Sequence, residues 1–436
     1  MIRLKILLPL ISLCVFLTAA CTQNQSDNPF VKVENGHFTV AGKPYYYIGT
    51  NFWYGAILGS EGQGGNRDRL VKELDLMKSH GIDNLRVLVG ADGPNGIQNR
   101  VTPTLQLQIG VYNDTLLVGL DFLLAEMGKR NMKAILFLNN SWDWSGGLVQ
   151  YLQWNGYKNA PVLAEENGWA KYQAFTTQYY ECDSCKVQFR KHIRFILSRV
   201  NSISKTAYAN DPAIMAWEIA NEPRVFSNKN KPLFETWIKE TSALIKFLDK
   251  NHLVTTGSEG QMGSEGDMDL YQRIHADPNI DYLTIHIWPK NWSWIKPDSI
   301  PQTVEGAILK TNEYISKHQK LAKRMKKPLV FEEFGLPRDN HKYGLENPTR
   351  ARDCYYTNIF DQVLNSMKTN GEITGCNFWA YGGLARPRTD RIHWQPGDDL
   401  MGDPGQEEQG LNSVFDTDST MQIVKEFNDK INLLHN

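Results

Sequence analysis

Two glutamates lie in motifs that could carry acid, base or nucleophilic chemistry. Glu222 belongs to the segment 217–224, which reads WEIANEPR, and Glu333 belongs to the segment 331–335, which reads FEEFG. A pair of carboxyl groups can cleave a glycosidic bond, because one protonates the leaving oxygen while the other attacks the anomeric carbon. The competing interpretation is that each is an ordinary surface glutamate that follows a strand. The choice depends on whether the fold brings the two together.

The neighbours of both glutamates are also polar. Glu218 has the same strand parity as Glu222, so it should point into the interior as well. Arg86 is its expected partner, because a buried carboxylate must be paired. Glu332 and Glu333 are adjacent, so strand alternation predicts that only one of them faces inward. The strand register alone does not say which.

Eight short apolar runs, each followed by an amphipathic segment, must position these side chains. Strand–helix alternation predicts a parallel sheet, and eight such units predict a closed (β/α)8 TIM barrel of the α/β class. The alternative is an open doubly wound sheet, which would usually have a glycine-rich phosphate loop after its first strand; residues 49–53 do not supply one. The predicted strands are 45–53, 84–90, 133–140, 214–221, 252–258, 282–288, 328–334 and 375–381. The predicted helices are 66–80, 116–129, 186–200, 233–248, 267–275, 304–325, 348–367 and 421–434.

The ends of these strands carry the residues of interest. Active sites of such barrels lie at the carboxyl ends of the strands and in the loops that follow. Glu222 and Glu333 come at the ends of the fourth and seventh strands, so they should face each other across the mouth of the barrel. Arg86, His286 and Trp379 fall on the second, sixth and eighth strands.

Three additions to the barrel are predicted. Residues 30–43 alternate around a turn at 34–36 and predict an N-terminal β-hairpin. Long rim loops at 142–183 and 384–414, after the third and eighth strands, are expected to form the walls of a cleft.

No metal site or cofactor is predicted. The acidic cluster of Asp398, Asp399 and Asp403 lacks the regular spacing of a calcium loop. Cys182 and Cys185 have no second pair of ligands for zinc, so a local disulfide or two free thiols is expected.

The composition limits the class of ligand. Lys and Arg number 47 against 48 Asp and Glu, so the chain lacks the surplus of positive charge that a nucleic-acid-binding protein needs. The sequence has 12 Trp, 18 Tyr and 18 Phe. These aromatic side chains could fill the core or could line a concave site for sugars, and composition alone does not decide.

The strand-end motifs together resemble glycoside hydrolase family 5, in clan A, over residues 30–436. The motifs are Asn221-Glu222-Pro223, Glu333-Phe334-Gly335, His286 and Trp379. Segments 49–53, 142–147, 286–292, 396–399 and 402–404 are similar to the bacterial endo-β-1,4-mannanase subfamily. The resemblance implies that Glu222 is the general acid/base and that Glu333, not Glu332, is the nucleophile.

The resemblance also implies roles for the surrounding residues. Asn221 would bind the 2-hydroxyl of the reacting sugar, Arg86 would keep the nucleophile ionised, and His286 would bond near the acid/base or the substrate. Trp288 stands where the family often has Tyr, which leaves the hydroxyl partner of the nucleophile unidentified. Trp379 is the implied sugar platform at the cleavage site. Further aromatic candidates for substrate binding are Trp53, Trp142, Trp144, Trp288 and Trp394.

The N-terminus has the pattern of an export signal. Basic residues, an apolar run at 6–17 and small residues predict a signal peptide at 1–20. Cys21 follows in a sequence that resembles a bacterial lipoprotein cleavage site, which implies lipidation of Cys21, a tether at 21–29 and a catalytic domain at 30–436. We therefore expect an exported protein that contacts a membrane only through its lipid anchor.

The leading hypothesis is a monomeric, retaining endo-β-1,4-mannanase that hydrolyses mannan, glucomannan or galactomannan by double displacement. The first alternative keeps the chemistry but changes the substrate or mode, to a β-1,4-glucanase or to an exo-acting mannosidase or mannobiohydrolase of the same family. The second alternative is a non-catalytic glycan-binding lipoprotein.

Overall fold

The barrel strands follow the predicted order. The computed structural model of the protein describes residues 28–161 and 167–435. Its parallel sheet contains β1 (Tyr47–Asn51), β2 (Asn84–Leu88), β3 (Lys133–Phe137), β4 (Ile214–Glu218), β5 (Leu253–Thr255), β6 (Leu283–Ile287), β7 (Leu329–Phe334) and β8 (Ile373–Phe378). The hydrogen-bonded order is β5-β4-β3-β2-β1-β8-β7-β6, so strands that are consecutive in sequence are also neighbours in space.

The sheet closes between β5 and β6 through individual hydrogen bonds. The Asp281 backbone N–H donates to the Val254 carbonyl over 2.8 Å, and the Thr255 hydroxyl donates to the Tyr282 carbonyl over 3.0 Å. The predicted α/β (β/α)8 TIM barrel is therefore confirmed.

Helices surround the sheet where the sequence predicts them. Local signals set several of their ends: Asn66 accepts a hydrogen bond from the Arg69 backbone N–H at the start of one helix, and Asp267 accepts one from Leu270 at the start of another. Gly81, with φ of 74°, follows the first of these helices in a left-handed conformation that glycine tolerates. The helices are α1 (Gly55–Leu58), α2 (Arg67–Ser79), α3 (Asp114–Lys129), α4 (Gly147–Trp154), α5 (Gly168–Thr176), α6 (Asp183–Leu197), α7 (Lys231–Leu248), α8 (Met268–His275), α9 (Ile300–Met325), α10 (Arg350–Thr369) and α11 (Ser419–His435).

The predicted N-terminal hairpin covers one end of the barrel. Strands Lys32–Glu34 and His37–Val40 pair antiparallel, and a short third strand, Lys43–Pro44, joins them. Val31, just before this sheet, and Phe38 within it form one buried cluster with residues of the barrel strands such as Tyr47 and Ile135. The hairpin thus seals the amino end of the barrel and leaves the carboxyl end for a site.

The rim segment 142–183 differs from the long loop that the sequence predicts. It contains α4 and α5, together with 3-10 turns at Asp143–Ser145 and Thr177–Glu181. Leu148 and Leu152 lie four residues apart on the buried side of α4, which explains why this segment packs as a helix. Cys182 and Cys185 form a disulfide at the end of the segment.

The rim segment 384–414 is largely irregular, as predicted. Its two ends are tied together by the parallel pairing of Tyr381–Gly383 with Val414–Phe415. Asp403 is buried and accepts hydrogen bonds from the backbone N–H groups of Gly410, Asn412 and Ser413. This acidic residue therefore anchors the segment.

The predicted signal peptide, the lipidation site at Cys21 and the first seven residues of the 21–29 tether lie outside the described residues. Among the helices in the described ranges, none combines the length and the apolar character that crossing a membrane requires.

Candidate active site

A cleft of about 600 Å³ lies over the carboxyl ends of the strands. This volume is in the range of ordinary ligand sites. Its lining residues come from the carboxyl end of β7 and from the loops after β3, β4, β5, β6 and β8, as expected for a barrel enzyme. They are Trp142, Trp144, Trp169, Asn221, Glu222, Arg224, Glu259, Met262, Trp288, Asn291, Trp292, Ser293, Glu333, Trp379, Gln406 and Glu407.

Glu222 lies in the turn that follows β4. Its backbone has φ of 49°, a left-handed conformation that is uncommon for a residue with a side chain and often marks functional sites. The side chain is 9% exposed. One carboxylate oxygen faces His286 Nδ1 at 2.8 Å, and the other accepts a short hydrogen bond from the indole N–H of Trp142. The carboxyl group is thus fixed in orientation while it remains open to the cleft.

Glu333 lies in β7, and its carboxylate accepts hydrogen bonds from three directions. Arg86 Nη1 donates to Oε1 over 2.6 Å, Trp288 Nε1 donates to Oε2 over 3.1 Å, and His286 Nδ1 lies 3.3 Å from Oε2. Burial alone would raise the pKa of Glu333, but the charges on His286 and Arg86 outweigh it and hold the pKa below its ordinary value. Glu333 is therefore ionised at neutral pH, as a nucleophile must be.

Trp288 supplies the partner of the nucleophile that the sequence left unidentified. The family often has Tyr at this position, with a hydroxyl group as donor. Here the indole N–H takes that place on Glu333 Oε2.

Both glutamates of the FEEFG segment face the interior, so the prediction that only one of them does is wrong. β7 pairs with β6 through Ile285 opposite Phe331 and His286 opposite Glu333, so the register skips Glu332. This irregularity acts as a β-bulge, which breaks side-chain alternation at one residue. Glu332 and Glu333 both lie within 4.0 Å of His286.

Arg86 connects the catalytic residues to one another. Its Nε and Nη2 donate to the two oxygens of Glu218 over 2.8 and 2.5 Å, and Nη2 also donates to Asn221 Oδ1 over 2.8 Å. Its Nη1 donates to Asn51 Oδ1 over 3.0 Å as well as to Glu333. All five N–H groups of the guanidinium are therefore used. The predicted pairing of Arg86 with Glu218 is present.

Asn221 is held with its amide group in a defined orientation. Its oxygen accepts from Arg86, and its Nδ2 donates to Asn140 Oδ1 over 3.1 Å. The side chain lines the cleft directly beside Glu222. This is the place from which a hydroxyl group of a bound sugar could be contacted.

Four of the predicted tryptophans line the cleft. Trp379 lies between Trp144 and Trp288, with ring centroids 6.4 and 6.2 Å apart and edge-to-face geometry. Trp142 lines the cleft next to Glu222, and Trp169 stacks on it with centroids 5.7 Å apart. These indoles offer flat apolar faces beside the carboxylates, which suits the faces of sugar rings.

Trp53 and Trp394, also predicted to bind substrate, do not line this cleft. Trp53 is buried behind Trp144, and its indole N–H donates to the Gly402 carbonyl over 2.8 Å. Trp394 packs in the rim segment, where its N–H donates to the Asp398 carbonyl over 3.3 Å. Both side chains are held by backbone carbonyls of the second rim segment and act as its structural anchors.

Sequence reasoning missed a charged pair at the cleft wall. Arg224 donates two hydrogen bonds to Glu259, which follows β5, and its guanidinium lies 5.7 Å from the centroid of Trp142. Arg224 was visible in the WEIANEPR segment, but Glu259 stands in no recognisable motif. Only its position after the fifth strand could have suggested it.

The two carboxylates are close enough for a double displacement. One ligand atom each of Glu222, His286 and Glu333 lies within 4.8 Å of the other two. Retaining glycosidases have carboxyl groups about 5–5.5 Å apart, whereas inverting enzymes need about 6.5–9.5 Å to admit a water molecule. In the described part of the chain this trio is also the one cluster with the atom types and spacing of metal ligands.

Similarity to known proteins agrees with this geometry. The chain matches the family described as GH family 5 beta-mannosidase-like over residues 28–436. The crystal structure of a glycoside hydrolase family 5 mannosidase from Rhizomucor miehei superposes with a TM-score of 0.86 at 34% identity, covering 94% of this chain and 99% of that one. A variant of that mannosidase has been crystallised in complex with mannosyl-fructose.

Two plant enzymes are similar over most of their length. Mannan endo-1,4-beta-mannosidase 7 of Arabidopsis thaliana is 30% identical, over 80% of this chain and 77% of that protein. Mannan endo-1,4-beta-mannosidase 4 of Solanum lycopersicum is 28% identical, over 82% of this chain and 84% of that protein. The family match, the barrel and the paired carboxylates agree, and this chain belongs to glycoside hydrolase family 5.

Proposed function

We propose that the chain is a retaining endo-β-1,4-mannanase that hydrolyses internal bonds of mannan, glucomannan or galactomannan. The observation that carries this proposal is the placement of Glu222 and Glu333, within 4.8 Å of each other in an aromatic cleft. The plant relatives, which are named as mannan endo-1,4-beta-mannosidases, support the substrate and the endo mode.

The geometry supports two chemical steps. In the first, Glu333 attacks the anomeric carbon and forms a glycosyl ester, while the bond to the leaving oxygen breaks and Glu222 gives that oxygen its proton. In the second, Glu222 takes a proton from water, whose oxygen attacks the same carbon and releases Glu333. The configuration is inverted twice and is therefore retained.

Product sizes test this function directly. We expect digestion of carob galactomannan and konjac glucomannan to release oligosaccharides of mixed length from the first minutes, because an endo enzyme cuts at internal bonds. Carboxymethylcellulose should remain uncut. Mannose as the sole early product would indicate an exo enzyme, and cleavage of carboxymethylcellulose would indicate a glucanase.

One observation favours a second candidate, an exo-acting β-mannosidase. Gln406 and Glu407, from the rim segment 384–414, reach the cleft that contains Glu333. Glu407 Oε2 is buried without a hydrogen-bond partner in the described structure. Burial, followed by the charges of Asp403 and Glu333, raises the pKa of Glu407. A neutral carboxyl group here could donate to a sugar hydroxyl and close one end of the cleft.

Substitution of Glu407 distinguishes endo action from exo action. Under the exo candidate, Glu407→Ala lowers kcat/KM for mannobiose about tenfold, the loss of about one good hydrogen bond, and increases cleavage of galactomannan. Glu408→Ala, at the neighbouring residue outside the cleft lining, is the matched control. An unchanged rate on mannobiose would show that Glu407 does not recognise a chain end.

We further propose that the enzyme is exported and anchored by a lipid at Cys21, and that it acts as a monomer. The support for export is the basic, apolar and small-residue pattern of residues 1–20. The support for the anchor is Cys21 after Thr18-Ala19-Ala20.

A further inference from the structure

Two buried polar atoms face each other beneath the catalytic pair. His286 Nε2 and Glu332 Oε2 lie 4.0 Å apart, and neither has a hydrogen-bond partner in the described structure. Both residues are fully buried. A buried imidazole nitrogen and a buried carboxylate oxygen that make no hydrogen bond are costly unless opposite charge lies close by.

The opposite nitrogen of the same ring serves the catalytic carboxylates. His286 Nδ1 lies 2.8 Å from Glu222 Oε1 and 3.3 Å from Glu333 Oε2. Glu333 is ionised and can only accept a hydrogen bond, so a proton on Nδ1 is the arrangement that satisfies it. The proton of Glu222 is then free to face the leaving oxygen, and the Glu222 oxygen beside Nδ1 accepts as well. If Nε2 lacked a proton, its lone pair would face the negative Glu332 oxygen across 4.0 Å. The ring is therefore most stable with both nitrogens protonated.

We propose that Glu332 is a positioning residue that holds His286 as a doubly protonated imidazolium, whose Nδ1–H serves the two catalytic carboxylates in turn. This inference rests on the proposed retaining mechanism. It assigns a role to a residue that strand alternation would place outside the site, and the β-bulge at Glu332 is what brings it there.

During the reaction, the hydrogen bond from Nδ1–H would pass from one catalytic carboxylate to the other, according to which of them is negative. In the resting enzyme Glu333 is the ionised catalytic carboxylate and Nδ1–H stabilises it. After the ester has formed, Glu333 is neutral and Glu222 has given its proton to the leaving oxygen, so Glu222 becomes the acceptor. Water then returns a proton to Glu222 as the ester breaks. No proton leaves the ring in either step.

The surroundings of the ring agree with a permanent charge. Burial disfavours the cation, but the neighbouring carboxylates, Glu333 first, outweigh it and raise the pKa of His286 well above its ordinary value. Tyr282 donates to Glu332 Oε1 over 3.1 Å, and Arg86 Nε lies 4.0 Å from Glu332 Oε2, so Glu332 is held on both sides. The other ionisable groups that act on this site are Glu218 on β4, Glu222 after β4, Glu259 after β5 and Glu333 on β7.

The charge state of His286 can be measured without substrate. Protein labelled with ¹⁵N-histidine gives imidazole nitrogen shifts that distinguish an imidazolium from a neutral ring, and His286→Gln assigns the signal. In the wild type we expect an imidazolium from about pH 5 to pH 9, a range that brackets ordinary histidine titration. In Glu332→Gln, which keeps the shape but removes the charge, the ring should titrate within that range.

The kinetics of Glu332→Gln should follow the same titration. On an aryl β-manno-oligosaccharide, the ratio of kcat in Glu332→Gln to kcat in the wild type should be constant while the ring is charged. It should fall about tenfold as pH rises through the new midpoint, with KM little changed. A purely structural role would lower activity equally at every pH. Tyr282→Phe, which removes a hydrogen bond but keeps the Glu332 charge, is the matched control and should leave the imidazolium intact.

Two outcomes overturn the proposal. One is an imidazolium that persists in Glu332→Gln across the whole range, and the other is a wild-type ring that titrates there. If Glu332→Gln does not fold, Glu332→Asp keeps the charge at a longer distance, so its His286 ring should begin to lose a proton below about pH 9, where the wild-type ring stays charged. A ring that stays fully charged in Glu332→Asp also contradicts the proposal. Failure to cleave any mannoside would refute the proposed function and leave the measured ring charge standing.

Discussion

Replacement of either catalytic carboxylate by its amide is expected to abolish hydrolysis of mannan. For Glu222→Gln and Glu333→Gln we expect kcat to fall by about 10³-fold or more, on the order of 4 kcal/mol of transition-state stabilisation. An amide at position 333 cannot form the glycosyl ester, and an amide at position 222 has no acidic proton to give to the leaving oxygen. Initial rates of reducing-sugar release from galactomannan measure the effect.

Both variants should remain folded. Glu222 receives N–H donors on both of its oxygens, from His286 and Trp142, so an amide leaves one donor facing an NH₂ group. An unsatisfied buried donor costs about 1–3 kcal/mol, which is less than the total stability of an ordinary domain. Thermal unfolding would check this. Complete loss of activity in Glu332→Gln with retention in Glu333→Gln would show that the nucleophile is misassigned.

Azide, a small anionic nucleophile, can distinguish the acid/base role of Glu222 from the nucleophilic role of Glu333. In Glu222→Ala the glycosyl ester of Glu333 can still form from a p-nitrophenyl β-manno-oligosaccharide, whose leaving group needs no acid, and added azide should release it as the β-azide without a general base. In Glu333→Ala azide can only attack the substrate itself and should give the α-azide. The opposite pattern of products would exchange the two assignments.

Much of this site could be predicted because strand ends in a parallel barrel always meet at one mouth. Glu222, His286, Glu333 and Trp379 each stand at the end of a different strand, and any closed barrel brings them together. The pairing of Arg86 with Glu218 followed from parity and from the cost of a buried charge. These inferences do not depend on exact strand boundaries.

Other features depend on pairing between segments, which one sequence does not record. The inward orientation of both Glu332 and Glu333 results from the irregular register between β6 and β7, whereas alternation within β7 alone allows only one of them to face inward. Trp53 and Trp144 both follow barrel strands and look alike in the sequence. Trp53 is bound by the carbonyl of Gly402, which lies far away in the chain, whereas Trp144 lines the cleft. Glu259 and Glu407 reach the cleft from loops whose paths no motif defines.

Replacement of Arg86 is expected to lower the stability of the fold strongly, because its guanidinium binds three side chains of the site. Glu218, Asn221 and Glu333 all accept its N–H groups, and Glu218 is fully buried. For Arg86→Met we expect a loss of about 3–5 kcal/mol in the free energy of unfolding at pH 8, because removing one partner leaves a buried charge uncompensated. Urea denaturation of wild type and variant measures the difference.

The loss in the free energy of unfolding of Arg86→Met should depend on pH in a direction that the pKa values define. Burial already raises the pKa of Glu218 to about 8, and removal of Arg86 raises it further. A carboxyl group whose folded pKa lies above its unfolded pKa makes the fold less stable as pH rises between the two values. Glu218 is neutral in both proteins well below pH 8, so its contribution to the gap between variant and wild type should grow as pH rises above about 8. Glu333, whose pKa Arg86 helps to lower, should add a contribution that appears as pH rises through the ordinary glutamate range. The gap should therefore be smallest in acid and should widen as pH rises. A gap that is constant with pH would show that packing, not charge, is what Arg86 contributes.

The same substitution should move the activity profile. Arg86 helps to hold the pKa of Glu333 below its ordinary value, so in Arg86→Met that pKa rises and the acidic limb of kcat/KM shifts to higher pH. Arg86→Lys is the matched control, since it keeps the positive charge but replaces the planar fork with a single nitrogen. We expect Arg86→Lys to keep an acidic limb closer to that of the wild type while its kcat falls, because one ammonium group cannot orient Asn221 and Glu333 together. An acidic limb that stays in place in both variants would mean that His286 alone keeps the nucleophile ionised.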